Sequence, residues 1–299
     1  MILNNTFFGT ATLPEIDITE ERLQELAQSS VSAGLTVPGV QKKLSLHLVG
    51  GAAPRLTLVG YPAGYILKPQ TEEYPHLPEA EDMVMDIAEE LGVRTVPHGL
   101  VETPAGYAYL TKRIDRQMRG QKISGSLAME DFCQLTERAT ADKYKSSYER
   151  CAAVIDTYSA RSGLDKAEFF LRIVVSFLTG NSDMHLKNFS LIETAPAKRE
   201  FVLSPAYDLL PVNLVLPEDT DETALTLCGK RSKFKRADFM RFAETIGINE
   251  NAAEKMVART LRSHDKALAI CAASSLPQDM KAGFKELFEK RCERLSLEK

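Results

Sequence analysis

Residues 44–48, Leu-Ser-Leu-His-Leu, alternate apolar and polar positions, the period of a half-buried strand. Residues 55–59 and 64–68 read as two more strands, with turn chemistry at 60–63. Residues 79–91 read as a helix with Met83, Ile87 and Leu91 along one face, and Gly92 follows as a stop signal. Met83 and Met85, about 200° apart on a helix, are not expected to share that face. Residues 100–102 and 107–111 predict a hairpin around Pro104-Ala105-Gly106. Beyond Arg116 the pattern turns mostly helical, over 129–137, 147–158 and 165–179. A short strand pair follows at 189–192 and 201–203, and the tail predicts helices over 237–246, 252–261 and 278–295. The expected organisation is α+β: a small β-rich N-terminal lobe over 1–113 and a larger, mostly helical C-terminal lobe over 114–299. The crossover near residues 112–116 is where a cleft between lobes can hold a ligand.

Composition narrows the function classes. With 37 Lys+Arg against 41 Asp+Glu, the 299-residue chain has a net charge of −4, which argues against coating nucleic acid through bulk charge. A local basic run, Lys230-Arg231-Ser232-Lys233-Phe234-Lys235-Arg236, reads as a solvated surface or as a contact for an acidic partner or phosphate backbone. Hydrophobic residues make up 44%, enough to bury a core. The five cysteines form no C-x-x-C pair, so a disulfide framework or structural zinc site is not expected, and a reducing cytoplasm is the simplest setting. The start lacks the basic and apolar regions of a signal peptide. The longest apolar stretch, 169–179, contains Arg172 and is far shorter than the ~20 residues that span a bilayer.

The most informative stretch is Gly180-Asn181-Ser182-Asp183-Met184-His185-Leu186-Lys187-Asn188-Phe189, a loop between an apolar helix and a strand. Asp183 and Asn188 have the D-x-x-x-x-N spacing of a phosphoryl-transfer catalytic loop. An aspartate can take the proton of an incoming hydroxyl, and an asparagine carbonyl oxygen is a hard neutral ligand for Mg²⁺. Lys187 can neutralise charge on a transferring phosphoryl group. Asp208, in Ser204-Pro205-Ala206-Tyr207-Asp208, stands where a second magnesium-holding aspartate is placed in such loops. Lys68 ends a predicted strand, as does the lysine that pairs the α- and β-phosphates of a nucleotide, with Glu81 or the neighbouring Glu79 as its ion-pair partner. Pro38, Gly39, Val40, Gln41, Lys42 and Lys43 form a loop opening into a strand, and Gly39 permits close backbone approach to phosphates. No G-x-x-x-x-G-K-[ST] motif is present. Blander readings stand beside these: Asp183 as a turn cap, His185 as a buried brace of the loop, Lys68 as an ordinary strand-end lysine.

In their order along the chain, TVPGVQKKLSL, YILKP, LPEAEDMVMDIAEELGV, LTKRIDR, GNSDMHLKNFSL and LSPAYDLLP resemble the HipA-like serine/threonine kinases of bacterial toxin–antitoxin systems. The resemblance implies a bilobal protein-kinase-like fold. It implies ATP binding at Pro38 to Lys43, Lys68, Glu81, the linker Lys112, Arg113 and Ile114, then His185, Leu186, Lys187, Asn188, Tyr207 and Asp208. Asp183 would be the catalytic base, and Asn188 and Asp208 the Mg²⁺ ligands. The family often carries an autophosphorylated serine just before the glycine-rich turn; Thr36 occupies that position, and Pro38 stands where some short members have a second serine. With about 30 residues ahead of this loop, the chain looks like the short HipT form of a three-gene system, with a small HipS-like and a helix-turn-helix HipB-like partner. Family substrates are aminoacyl-tRNA synthetases. A nucleotide-binding corepressor or scaffold docking to a DNA-binding antitoxin is the alternative from another class.

Overall fold

The computed structural model describes residues 3, 5–10, 14–17, 43–49, 54–58, 64–119 and 122–296. Thr36, Pro38, Gly39, Val40, Gln41 and Lys42 lie outside the described residues. Contacts divide the chain into two compact units: residues 1–82 with 96–126, and residues 83–95 with 127–299. The sequence-based division stood at 113/114.

The first unit is built on a six-stranded sheet of β1 (Glu15–Asp17), β2 (Leu44–Val49), β3 (Arg55–Leu58), β4 (Tyr65–Lys68), β5 (His98–Thr103) and β6 (Gly106–Lys112). Their spatial order is β1-β3-β2-β4-β6-β5, antiparallel throughout except the β1–β3 pair. The predicted alternation in β2 is realised: Leu44, Leu46 and Leu48 are buried, and Ser45 and Val49 exposed. These leucines pack with Leu56, Tyr65, Leu67, Ala108 and Leu110 into one apolar layer. Short helix α1 (Asn5–Phe8) adds Phe8, whose ring lies 5.7 Å from that of Tyr65. A two-stranded ribbon, β7 (Arg116–Arg119) with β8 (Lys122–Ser126), also belongs to this unit. Its side chains are mostly polar, so no hydrophobic alternation announces it, and the sequence pattern missed it.

Helix α2 (Leu77–Glu90) crosses from the first set of residues to the second. Met83 and Met85 are both buried, at 1% and 0% exposure, although they lie on different faces. The helix is covered nearly all round rather than along one stripe.

The second unit centres on α5 (Ser162–Thr179), whose Phe169, Phe170, Ile173, Val174, Phe177 and Leu178 are all buried. Phe189, Phe239 and Phe242 pack on it, with ring centroids 5.0–6.2 Å from Phe169, Phe177 and Phe170 respectively. Helix α4 (Tyr148–Tyr158) precedes it, started by Ser147, whose Oγ accepts from the Arg150 N–H. After the short α6 (Val212–Val215), the tail contributes α7 (Arg236–Thr245), α8 (Glu250–Arg262), α9 (His264–Ala273) and α10 (Gln278–Ser296). Strands β9 (Met129–Asp131), β10 (Ser190–Glu193) and β11 (Phe201–Leu203) form a sheet of order β11-β10-β9.

The helix expected over 129–137 is a correction. Residues Met129–Asp131 are a strand pairing with β10, and only α3 (Phe132–Leu135) is helical. Asp131 and Gln134 form a reciprocal capping box that starts the helix after the strand ends. The basic run at 230–236 lies partly on the surface, with Lys233 and Lys235 exposed, and partly in ion pairs. Lys230 pairs with Asp238 at 2.6 Å, Arg231 with Asp221 at 3.7 Å, Arg236 with Glu254, and Phe234 is fully buried. Three of the five cations thus have acidic partners within the fold.

Candidate active site

The loop at 180–189 is fixed at its entry by the end of α5. Gly180 adopts φ +80, the left-handed conformation that closes a helix, and the Asn181 N–H reaches back to the Ser176 carbonyl at 2.8 Å. The Gly180 carbonyl accepts from the Asn213 N–H at 2.9 Å. Ser182 Oγ donates to Asp219 at 2.7 Å, and Tyr148 Oη to the Met184 carbonyl at 3.1 Å. At the exit, the Phe132 N–H donates to the Phe189 carbonyl at 3.0 Å. The loop therefore sits between rigid elements along its whole length.

Within it, the Asp183 N–H donates to Asn181 Oδ1 at 3.2 Å, and Asn188 Nδ2 donates to the Asp183 carbonyl at 2.9 Å. Asp183 and Asn188 are thus brought together. With its Nδ2 committed, the Asn188 amide has its oxygen left as an acceptor. The Asp183 carboxylate is 43% exposed, while Asn188 is buried at 4%.

His185 is buried, with Nε2 4.0 Å from Asp183 Oδ2, too long for a hydrogen bond, and Nδ1 without a hydrogen-bond partner. Burial holds its pKa below the ordinary histidine value, against the opposing charges of Asp183 and Asp208.

Asp208 itself has φ +63, a left-handed backbone that aspartate tolerates better than most side chains. The segment leading to it is anchored upstream. The Ala206 N–H donates to the Arg94 carbonyl at 2.6 Å, and buried Arg172 donates to the Ser204 carbonyl at 2.9 Å. Tyr207 Oη donates to the Lys187 carbonyl at 3.2 Å and lies 2.6 Å from Ser190 Oγ, so it ties the two segments directly. Burial pushes the Tyr207 phenol up, and it stays protonated.

Two contacts add to the sequence reading here. Lys187 does not stand as an unpaired cation: its Nζ lies 2.6 Å from Asp131 Oδ2, on the carboxylate that also caps α3. Tyr144, absent from the expected set, donates its hydroxyl to Asp183 Oδ1 at 2.7 Å. The partners lie 39 residues apart and no local motif links them, so only the folded chain reveals the contact.

In the first unit, Lys68 Nζ lies 2.5 Å from Glu81 Oε1, with both residues buried at 4% and 0%. The alternative partner, Glu79, is engaged instead by Gln70 Nε2 at 2.7 Å and His76 Nδ1 at 3.2 Å. Lys68 also stands 5.3 Å from the centroid of the Tyr109 ring. Lys112 ends β6 and its N–H donates to the Pro97 carbonyl at 3.0 Å. Arg113 makes a two-pronged contact with Asp115 at 2.9 and 2.6 Å, around a turn that contains Ile114. Lys43 is exposed just before β2.

Among the described residues, no group of three or more His, Cys, Asp or Glu is arranged to hold a metal ion. The oxygen donors at Asn188 and Asp208 fit a hard cation such as Mg²⁺, which takes one or two protein ligands and completes its shell from phosphate and water. They do not fit a soft metal.

The profile of the HipA-like C-terminal domain matches residues 35–268. A Haemophilus influenzae protein named "Putative kinase" is 29% identical over 82% of this chain and 77% of its own length. Two Sinorhizobium fredii proteins, "Putative kinase Y4dM" and "Putative kinase Y4mE", are 31% and 26% identical, and the match spans 56% of each. Among solved structures, HipA of Shewanella oneidensis, in complex with HipB and operator DNA, superposes with a TM-score of 0.74 at 21% identity. That match covers 88% of this chain and 67% of the Shewanella chain. The Helicobacter pylori proinflammatory kinase CtkA gives a TM-score of 0.59 at 15% identity, over 84% of this chain and 93% of CtkA. These two likenesses place the chain in the HipA-like, kinase-like fold, and the profile match shows that it belongs to the HipA-like C-terminal domain family.

Proposed function

We propose that the chain is an ATP- and Mg²⁺-dependent serine/threonine protein kinase acting as the toxin of a bacterial toxin–antitoxin system. The observation that carries this reading is the braced loop holding Asp183 exposed with Asn188 bonded behind it. Asp183 takes the proton of the acceptor hydroxyl as its oxygen bonds to the γ-phosphorus. The bond from that phosphorus to the bridging oxygen breaks, and ADP leaves with the electron pair. Asn188 and Asp208 supply oxygens for the cation, which when bound neutralises phosphate charge. Lys68, fixed by Glu81, aligns the α- and β-phosphates. By the family resemblance, Pro38 to Lys43, Lys112, Arg113, Ile114, His185, Leu186 and Tyr207 are the further nucleotide-binding candidates. Lys187, which also pairs with Asp131, neutralises charge on the transferring phosphoryl group. Such catalysis is mainly positioning and charge neutralisation, so each carboxylate matters strongly.

The remaining parts of the reading rest on family resemblance. The acceptor is a protein hydroxyl, with an aminoacyl-tRNA synthetase as the expected substrate. Thr36 is the autophosphorylation candidate, since a dianion there would repel nucleotide phosphates and open the covering loop. HipB-like and HipS-like antitoxins are the expected partners, and the Shewanella HipA complex with HipB and operator DNA supports the first. The same complex favours a corepressor role beside catalysis, separable by gel shift with and without the partner. The expected location is the cytoplasm; no described helix is long and apolar enough to cross a membrane.

The test is γ-phosphate transfer from labelled ATP into a bacterial lysate by the wild type, Asp183→Asn and Asp208→Asn. The wild type is expected to label a discrete protein, and both variants to lose labelling. Activity persisting in both variants rejects the assignment. Phosphopeptide mass spectrometry at Thr36, comparing wild type with Asp183→Asn, tests autophosphorylation.

A further inference from the structure

We infer that Tyr144 is a positioning residue for phosphoryl transfer: its hydroxyl locks the Asp183 carboxylate so that Oδ2 is the oxygen presented to the acceptor. The inference rests on Asp183 being the base.

The geometry is specific. The Tyr144 hydroxyl donates to Asp183 Oδ1 at 2.7 Å, while Oδ2 stands 4.0 Å from His185 Nε2 and makes no hydrogen bond with it. A carboxylate 43% exposed on a loop would otherwise turn about its terminal torsion, which is broad and roughly two-fold. One fixed oxygen removes that freedom and defines which lone pairs face outward.

Tyr144 is itself held. Its ring packs edge-on against buried His185, with centroids 5.1 Å apart and planes at 75°. Lys143 Nζ stands 4.9 Å from the centroid on the ring face. The Tyr144 carbonyl accepts from Arg231 Nη2 at 3.1 Å, and the Lys143 carbonyl accepts from the Leu186 N–H at 3.2 Å. The short stretch carrying the tyrosine is therefore bonded to the catalytic loop and to the segment carrying Arg231. Burial, then the neighbouring charge and hydrogen bond of Asp183, push the phenol upward, so it remains a donor across the working pH range. This places Tyr144 ahead of His185 as the brace of Asp183, since His185 makes no hydrogen bond to the carboxylate.

The experiment uses the full chain, ATP with Mg²⁺, and a bacterial lysate as acceptor mixture. Tyr144→Phe keeps the ring and deletes the hydroxyl. The expected result is about a tenfold fall in rate at saturating ATP, as the base loses its fixed orientation toward the acceptor. The KM for ATP, calorimetric affinity for a non-hydrolysable ATP analogue and thermal midpoint should all stay unchanged. Tyr158→Phe, at an exposed tyrosine at the end of α4, serves as a control with wild-type rate. A merely structural tyrosine would move midpoint and affinity together with rate, and that outcome overturns the inference. A wild-type rate in Tyr144→Phe overturns it too. A faster rate would mean that the phenol occupies the acceptor's place, which is equally fatal. If Asp183→Asn retains activity, the reading of the base falls first; if Asp183→Asn is dead and Tyr144→Phe is normal, only this inference falls.

Discussion

The Lys68–Glu81 pair offers a prediction in which stability and function separate. The charges face each other at 2.5 Å with 4% and 0% exposure, so water screens them little. Lys68→Met removes the ammonium and leaves the Glu81 carboxylate buried opposite a thioether. Breaking a buried pair from one side costs about 3–5 kcal/mol, and we expect Lys68→Met to lose about 3 kcal/mol. Adding Glu81→Leu removes the stranded charge, and apolar replacement of a buried pair is often neutral or better. Lys68→Met/Glu81→Leu should therefore return to within about 1 kcal/mol of wild type, a coupling of at least about 2 kcal/mol between the two positions. Urea unfolding of the four proteins, at constant m-value, measures that coupling. Binding of an ATP analogue, measured on the same proteins, should stay lost in the double variant because nothing replaces the phosphate-pairing ammonium. A double variant that loses the sum of the two single effects would refute the electrostatic reasoning. One that regains both stability and nucleotide affinity would refute the role given to Lys68.

Gly180→Ala should cost about 1–2 kcal/mol, from the left-handed backbone alone. The added Cβ would also lie 3.2 Å from both Leu287 methyls, and a thermal midpoint equal to wild type would contradict the account. Asp165, 1% exposed, accepts from Ser159 Oγ at 2.6 Å, the Leu203 N–H at 2.7 Å and Arg161 Nε at 3.1 Å. Asp165→Ala should lose about 3 kcal/mol in urea unfolding, because a buried backbone N–H is left unpaired. At Glu222, burial raises the pKa, but two bonds from Arg294, at 2.5 and 3.0 Å, and one from the Phe234 N–H outweigh it and hold the carboxyl below its usual 4.5. The folded form therefore binds that proton less readily than the unfolded chain. The stability it gives is complete above pH 4.5 and is lost as pH falls through the lower folded value. Glu222→Gln should flatten the dependence of the thermal midpoint on pH in that acid window, and an unchanged slope would reject the assignment.

What the sequence revealed was local. Hydrophobic periodicity marked the helices over 147–158 and 165–179, and Gly92 marked the stop after α2, because such signals act over a few residues. The D-x-x-x-x-N spacing marked the loop for the same reason. What stayed hidden depends on pairing across long separations. Met129–Asp131 has residues that suit a helix, yet it pairs with β10 some sixty residues away. The choice of Glu81 over Glu79 turns on which face of α2 meets β4, a tertiary matter that spacing leaves open. The basic run at 230–236 could not be told from a solvated surface because its partners, Asp221, Asp238 and Glu254, lie outside it. Tyr144 has no motif at all.

The left-handed backbone at Asp208 limits which residues related chains can carry there. Glycine and asparagine keep that geometry cheaply, whereas a branched or aromatic side chain would strain it. Asparagine differs from aspartate by a single group and preserves shape while discarding the anion. If Asp208 holds the cation as proposed, a relative bearing asparagine at this place should fold intact yet lose phosphoryl transfer, so one position would sort working members of the lineage from inert ones.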